Sequence, residues 1–409
     1  PSTPLSAVDV LDLAICNNPQ TRELWANARA QAALVGVSHS AWMPSLNSKA
    51  ALNRIKSDDR YETQKTASLT VSWLAFDFGA RQAALTNAEQ LLLASLATQQ
   101  ASIQSLFLAA LQAYYTAQAS KAAVESARQA EVAAKTSFNA AETRYRVGTG
   151  TPADRLQAQT AFSQSTLNRI RAEGEARNAL GSLANIMGFA PQQAIVLQES
   201  APLLPDASFQ RDIDQLMQDA RKQRPDLLAA ESQVRAAQAN IDLAKAQGRP
   251  TVTLTSGPAW QETAGISSNS GSLGVAVNVP IFSGFETTYR VRNAEAQADT
   301  KLAQRDRLQQ QVALDVWKAY QSLTTATQSL QTTNDLVASA EQSEKVALGR
   351  YQAGVGNVID VLTAQTALAS ARLQRIQATL DWNVYRATLA LAMGALDYSL
   401  LQGAAEGRP

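Results

Sequence analysis

Cysteine and histidine are nearly missing from this 409-residue chain, which has one of each, Cys16 and His39. A single cysteine excludes an intrachain disulfide framework. One histidine leaves no His-based metal cluster or catalytic triad within the chain, and no enzymatic constellation, cofactor or metal is expected. Aromatics are scarce at 6%, which is lean material for a globular core. No helix-length apolar run stands out, so no transmembrane helix is expected. Charge of neither sign dominates: 36 basic residues face 35 acidic ones, which gives no electrostatic footprint for nucleic acid. The sequence begins at Pro1 with neither an initiator Met nor a signal peptide, and a processed or trimmed product is the expectation. His39, at a helix end, reads as structural or interfacial, and Cys16 as a small buried residue.

What the chain does have is a copy of itself, offset by 206 residues. Pro44 matches Pro250, Asn87-Ala88-Glu89 matches Asn293-Ala294-Glu295, Tyr145 matches Tyr351, Gly148 matches Gly354, Gly150 matches Gly356, and Met187-Gly188 matches Met393-Gly394. An offset kept over the whole length divides the chain at 1–206 and 207–409, each half one repeated unit.

Each unit reads helix, hairpin, very long helix, return helix. Short helical runs at Val8–Asn17 and Thr21–His39 match Ile213–Arg221 and Asp226–Gln247. The period then changes to two. Leu69, Val71, Trp73 and Ala75 alternate with Thr70, Ser72, Leu74 and Phe76; Leu273, Val275, Val277, Val279 and Ile281 alternate with Gly274, Ala276, Asn278 and Pro280. Val252 and Leu254 share a face of the preceding strand. These are half-apolar strands, separated by polar loops at Ser57–Arg60 and Glu262–Ser272. No proline interrupts Ala80–Arg146, about 100 Å of helix, and its counterpart is Phe285–Tyr351. Leu96, Ile103, Ala110, Ala117 and Val124 recur every seventh residue, a weak coiled-coil seam. Each long helix ends in a glycine turn, Val147-Gly148-Thr149-Gly150 or Ala353-Gly354-Val355-Gly356. Return helices follow at Pro152–Met187 and Val358–Met393, with Thr151 and Asn357 as N-caps. The glycine turns follow helices and lack Lys-Ser/Thr, so they are not phosphate loops.

Four antiparallel strands leave two open edges, which invite pairing with other chains. In a membrane such closure is obligatory. The strands are long enough to cross a bilayer at a tilt, with Leu69, Val71, Trp73, Leu273, Val275, Val277 and Val279 facing outward. A soluble sandwich layer is the alternative.

The sequence resembles the TolC family of outer-membrane channels over about Leu11 to Gly394. The matching segments are Asn17-Asn18-Pro19, Trp42-Met43-Pro44-Ser45-Leu46, Leu74-Ala75-Phe76-Asp77-Phe78-Gly79 and Val279-Pro280-Ile281-Phe282-Ser283-Gly284. Both glycine turns match too, in Arg144-Tyr145-Arg146-Val147-Gly148 and Arg350-Tyr351-Gln352-Ala353-Gly354, as do the helix starts Asp154/Leu156 and Asp360/Leu362. The resemblance implies a mixed α/β membrane protein. Three chains would form a twelve-stranded transmembrane β-barrel in the outer membrane, continued by a long α-helical coiled-coil barrel in the periplasm. Hairpins at 44–78 and 250–283 would form the barrel, and helices at 80–187 and 285–393 the tunnel. Segments 189–225 and 395–409 would form an equatorial band. The implied partners are two further copies, a periplasmic membrane-fusion adaptor, an inner-membrane ABC or RND transporter and outer-membrane lipid. Export through such a duct leans towards type I protein or toxin secretion. The alternatives are a multidrug efflux pump component and a non-conducting periplasmic scaffold.

The resemblance also implies sites. Asp360, with Asp154 and Thr363, would sit at a pore constriction, where converging carboxylates favour cations. A helix-start acid balancing the dipole is the alternative for Asp360. A second acidic ring is replaced by Thr363. Tyr351 and Arg350, with Asp360, would form a latch that lacks the family's basic residue after the glycine. Val147, Gly148, Thr149, Gly150, Ala353, Gly354, Val355 and Gly356 would form the tip that meets the adaptor.

Overall fold

The architecture follows the change of period along the chain. In this computed structural model, which describes residues 4–57, 60–198 and 213–396, helices α1 (Ala7–Asn17) and α2 (Pro19–Ser40) lead into strands β1 (Ser45–Ser57) and β2 (Arg60–Phe76). Helices α3 (Ala80–Arg146) and α4 (Pro152–Ile186) follow. The second half repeats the order as α5 (Ile213–Gln223), α6 (Pro225–Gln247), β3 (Thr251–Thr263), β4 (Ile266–Asn278), α7 (Glu286–Gln352) and α8 (Val358–Ala392). Parts of the expected equatorial segments, residues 199–212 and 397–409, lie outside the described residues, as do Asp58 and Asp59.

Local chemistry sets the helix ends. Ser6 and Asp9 form a capping box at α1. Pro19 opens α2 instead of only ending α1: it occupies the first helical position, and the Asn18 side chain accepts from the Gln20 N–H at 2.9 Å. α3 and α7 each run 67 residues, about 100 Å, because nothing in either breaks the hydrogen-bond ladder.

The chain divides into two compact units. The first comprises Pro1–Glu23, Ala101–Arg224 and Gln310–Pro409. Its core gathers Val10, Leu11 and Ala14 of α1 with Phe107, Leu111 and Tyr114 of α3, Leu183 of α4, Met187, and Ala387 and Ala390 of α8. A short parallel bridge joins Leu5 to Leu197. Cys16 is exposed, contrary to expectation, because α1 turns Val10, Leu11 and Ala14 inward and that stripe leaves Cys16 on the other face. α3 also contains a stretch long and apolar enough to cross a membrane by length and composition, so the expected lack of a helix-length apolar run does not hold for it. Leu and Ala raise the mean hydropathy there, and part of that helix is packed against protein at Phe107, Ala110, Leu111 and Tyr114.

The second unit comprises Leu24–Gln100 and Pro225–Gln309. Its helices meet through small side chains, with Ala88 and Ala94 of α3 and Ala229, Ala236 and Ala239 of α6 buried. Asn87 donates to the Ala236 carbonyl at 2.8 Å. Leu96 of the expected heptad seam is 45% exposed, whereas Ala110 and Ala117, in the first unit, are buried. A straight 3.6-residue helix drifts out of a strict seven-residue register.

The strands form one antiparallel sheet in the order β1-β2-β3-β4. The expected loop at Glu262–Ser272 is instead strand on both sides of a two-residue turn. Ala264 (φ 51°) and Gly265 (φ 83°) make that turn, and two positive φ values are the type I′ geometry that matches strand twist. The Ser, Gly and Asn residues read as loop are the first half of β4, which is polar on both faces. Val279 and Ile281 fall outside the strand, because β4 ends where Asn278 pairs with Thr251. Pro250 and Pro280 have no N–H with which to extend the ladder.

Candidate functional site

Two regions carry the chemistry, one in each unit. In the sheet, register decides which side chains share a face. Leu46 pairs with Val71, Trp73 with Leu254, Leu254 with Val275, Val252 with Val277 and Ser256 with Leu273. One face therefore carries Leu46, Leu69, Val71, Trp73, Val252, Leu254, Leu273, Val275 and Val277. Every residue expected to face outward, apart from Val279, is on it. The opposite face carries Asn47, Thr66, Ser68, Thr70, Ser72, Thr253, Thr255, Ser268, Ser270 and Ser272. The apolar face is uncovered: Leu273 is 86% and Val275 66% exposed.

The sheet tolerates a proline in a central strand because the ladder opens there. Pro258 pairs with Gly271 of β4, while the β2–β3 register runs from Ser68/Ala259 to Val71/Ser256 without it. A Cβ at the adjacent Gly257 would lie 1.8 Å from the Leu69 carbonyl oxygen, so only glycine allows this approach.

The junction between the first hairpin and α3 is clamped. The Arg81 guanidinium pairs with the Asp77 carboxylate at 3.1 Å, both nearly buried. It donates to the Ala75 carbonyl at 3.3 Å and lies 4.4 Å from the Trp42 ring. The Trp73 indole N–H donates to the Trp42 carbonyl at 3.0 Å. At the offset of 206 the second copy has Ser283, Thr287 and Gly248 instead of Asp77, Arg81 and Trp42, and no equivalent clamp forms among the described residues.

The glycine turns lie in the other unit and share one geometry. The Thr149 N–H reaches the Arg144 carbonyl at 2.9 Å, and the Val355 N–H reaches the Arg350 carbonyl at 3.0 Å. These six-to-one bonds, with Gly148 at φ 82° and Gly354 at φ 80°, are Schellman caps. A Cβ on Gly150 or Gly356 would press on the backbone of Tyr145 or Tyr351 at 3.0 Å. Val147 and Val355 are 66% and 70% exposed, and Thr149 and Ala353 are exposed beside them.

The two acids at the helix starts differ. Asp154 is half-buried, and its carboxylate accepts from the Thr151 hydroxyl at 2.7 Å and the Thr151 N–H at 3.3 Å, a complete capping box. Asn357 replaces that threonine in α8. Its Oδ1 caps the Asp360 N–H at 2.9 Å, and it has no hydroxyl to give the acid. Among the described residues the exposed Asp360 carboxylate accepts no hydrogen bond and forms no ion pair. Thr363, also exposed, sits one turn further along α8.

Tyr351 is buried with Ala141, Ala158, Val358 and Val361. The cation that meets it comes from the other copy: the Arg144 guanidinium lies 4.1 Å from the Tyr351 ring and donates to the Tyr351 carbonyl at 2.6 Å. Arg350 is exposed and makes no side-chain contact of this kind among the described residues. Arg155 covers Tyr145 at 5.3 Å and pairs with Glu142 at 3.5 Å. Arg144 and Arg155 escaped the reading of sequence because their partners lie across a repeat or a turn, which spacing does not encode.

Further from the turn, Arg169 bridges Glu131 at 2.7 Å and Glu173 at 3.1 Å between α3 and α4. Hydrogen bonds from Thr166 and Arg169 hold the Glu131 carboxyl below its ordinary range, those from Arg128 and Arg169 do so for Glu173, and Arg372 does so for Glu341.

Comparisons with known proteins align with this geometry. The family model described as outer membrane efflux protein matches twice, at residues 10–189 and 216–395. The chain is 31% identical to Protein CyaE of Bordetella pertussis, covering 98% of this chain and 86% of the relative. It is 25% identical to the outer membrane efflux protein BepC of Brucella suis, covering 93% and 83%. Its fold superposes on the crystal structure of the outer membrane protein VceC of Vibrio cholerae with a TM-score of 0.83 at 21% identity, covering 95% and 96% of the two chains.

Proposed function

The chain belongs to the outer membrane efflux protein family, the TolC-type outer-membrane channels, and from that membership we propose that it is the outer-membrane duct of a small-molecule efflux system. Members of the family are non-catalytic conduits that span the periplasm from the outer membrane, working with periplasmic adaptors and inner-membrane transporters. One observation carries the proposal: a four-stranded sheet with one apolar face, one Ser/Thr face and two open edges. Unpaired edge groups cost several kcal/mol each in lipid. Three copies joined β4 to β1 leave no edge, put the apolar face towards lipid and put the hydroxyl face around water. The halves 1–206 and 207–409 then each supply one hairpin and one long helix to the barrel and tunnel. The described parts of 189–225 and 395–409 belong to an equatorial band.

In this reading the turns at Val147–Gly150 and Ala353–Gly356 receive an adaptor, with Val147 and Val355 as apolar contacts. Asp360 rings the constriction, with Thr363 as a hydroxyl ring beside it. Asp154 is held by its cap and contributes less. Arg144 holds Tyr351 within one chain, and the exposed Arg350 is free to reach a neighbouring copy. Drug-type cargo is favoured over the protein secretion towards which the sequence resemblance leans, because BepC and the family model itself are named for efflux. The inner-membrane partner is then an RND or ABC transporter. Planar-bilayer recording tests the duct. Discrete openings from a purified trimer support it, and a monomer that never conducts removes it in favour of a periplasmic scaffold. A toxin-sized protein crossing a reconstituted system, with no drug transport, would overturn the efflux assignment alone.

A further inference from the structure

The Ser/Thr face of the sheet carries a lysine that no acid answers. Alternation along β1 puts Asn47, Lys49 and Ala51 on that face, and Ser48 and Ala50 on the face of Leu46 and Val71. Ser68 lies across from Lys49, Ala259 across from Ser68 and Ser270 across from Ala259, so the row that holds the ammonium contains no carboxylate. Thr66 and Thr70 are its diagonal neighbours on β2. Lys49 is exposed, and among the described residues it forms no ion pair or hydrogen bond. Glu62 is the described acid on this face of the sheet, and six positions of β2, about 20 Å, separate it from Ser68. Glu262 belongs to the other face, where it pairs with Lys65 at 3.1 Å.

Closing the sheet with further copies brings no acid either. β1 is an open edge, and the strand that would join it is β4, Ile266–Asn278, in which every residue is uncharged. The register of that joint is therefore immaterial, because in each one Lys49 meets only neutral side chains of the neighbouring strand.

We propose that Lys49 sets the ion preference of the strand-lined part of the duct, three copies making a cationic ring that concentrates small anionic solutes. The proposal rests on the membrane placement given above. A lysine facing lipid destabilises a barrel, whereas one facing the lumen tunes selectivity, and rings of Lys or Arg favour anions in pores. Twelve strands about 4.8 Å apart, tilted by about 40°, enclose a backbone radius of about 12 Å. The lysine stem reaches about 6 Å inwards, which leaves each ammonium about 6 Å from the axis. At the dielectric of water and a Debye length of about 8 Å, three such charges raise the local concentration of a monovalent anion about fivefold. In about 1 M salt, where the Debye length is about 3 Å, the gain falls below about twofold.

The test records reversal potentials of single channels in a KCl gradient centred on about 0.15 M. Asp360→Ala is the background, so that the acids proposed for the constriction do not mask the ring. Adding Lys49→Gln should lower the chloride-to-potassium permeability ratio about fivefold. Lys49→Glu should turn the preference towards cations, and both differences should shrink in about 1 M salt. Arg54→Gln removes a cation from the same strand but the opposite face and should leave the ratio as it is. An unchanged ratio in a Lys49→Gln channel that still conducts overturns this inference alone, and an equal fall with Arg54→Gln overturns the face assignment on which it stands. Failure of every protein to conduct overturns the duct itself.

Discussion

Replacing Arg81 with Met tests the clamp at the foot of the first hairpin. The side chains of Arg81 and Asp77 are 8% and 6% exposed, so the substitution strands a carboxylate out of water. Removing one partner of such a pair costs about 3–5 kcal/mol. Asp77 keeps two backbone donors, the N–H groups of Gly79 and Arg81 at 3.3 and 2.8 Å, which places the loss near about 3 kcal/mol. The stacking of Arg81 on Trp42 adds about 1 kcal/mol. For a cooperative unit of about 150–250 residues each kcal/mol moves the midpoint by about 2–4 °C, so Arg81→Met should lower it by about 10 °C. Glu286→Gln breaks an exposed pair with Arg290, 56% and 58% accessible respectively, and should move it by less than about 2 °C. Thermal melts followed by circular dichroism in detergent, at equal protein concentration, give the comparison. Removing both charges in D77A/R81M should recover part of the loss. A shift below about 3 °C for Arg81→Met, or strict additivity in the double variant, would refute the reasoning.

Asp360→Ala should raise single-channel conductance and weaken divalent block, whereas Asp154→Ala should cost about 1 kcal/mol of helix capping and leave block unchanged; identical currents for Asp360→Ala and the parent would remove it from the constriction. Gly354→Ala meets no atom within 4 Å but keeps φ at 80°, so its cost is backbone strain of about 1–2 kcal/mol, read as a lower melting point; an unchanged melt would contradict the Schellman cap. Glu131, Glu173 and Glu341 have folded pKa values below the ordinary 4.5. Each therefore contributes stability that is complete above about pH 4.5 and is lost as pH falls through its lowered value. Arg169→Gln should flatten that acid-side loss in melts taken between neutral pH and pH 3, and an unaltered pH profile would show the network to be idle.

Much of the fold is legible in residues. A stretch without proline from Ala80 to Arg146 has no other reading than a long helix, and Leu69, Val71 and Trp73 name a strand face before any register is known. Capping was equally plain, since Thr151 and Asn357 each precede a helix start. The reading failed where composition stands for conformation. Ser267 to Ser272 resembles a loop by content, yet it pairs along β3 as strand, and Ser, Asn and Gly occupy both of its faces so that no alternation shows. Within the candidate site the sequence placed Tyr351 and Asp360 beside a turn, but not Arg144 upon Tyr351, because that pairing joins residues 207 apart. Cys16 was misplaced because a helix of 11 residues has a narrow inner stripe, and the two positions that separate it from the buried Ala14 carry its side chain from core to water.

The acids at the matching positions 154 and 360 divide the labour according to a neighbour three positions upstream. Threonine at 151 conscripts its carboxylate into scaffolding, while asparagine at 357 does the capping alone and releases the other. In the proposed duct, the residue at 357 would thus set the electrostatic character of the passage without touching the charge itself, and a change at a position that is architectural in form would retune which ions linger there.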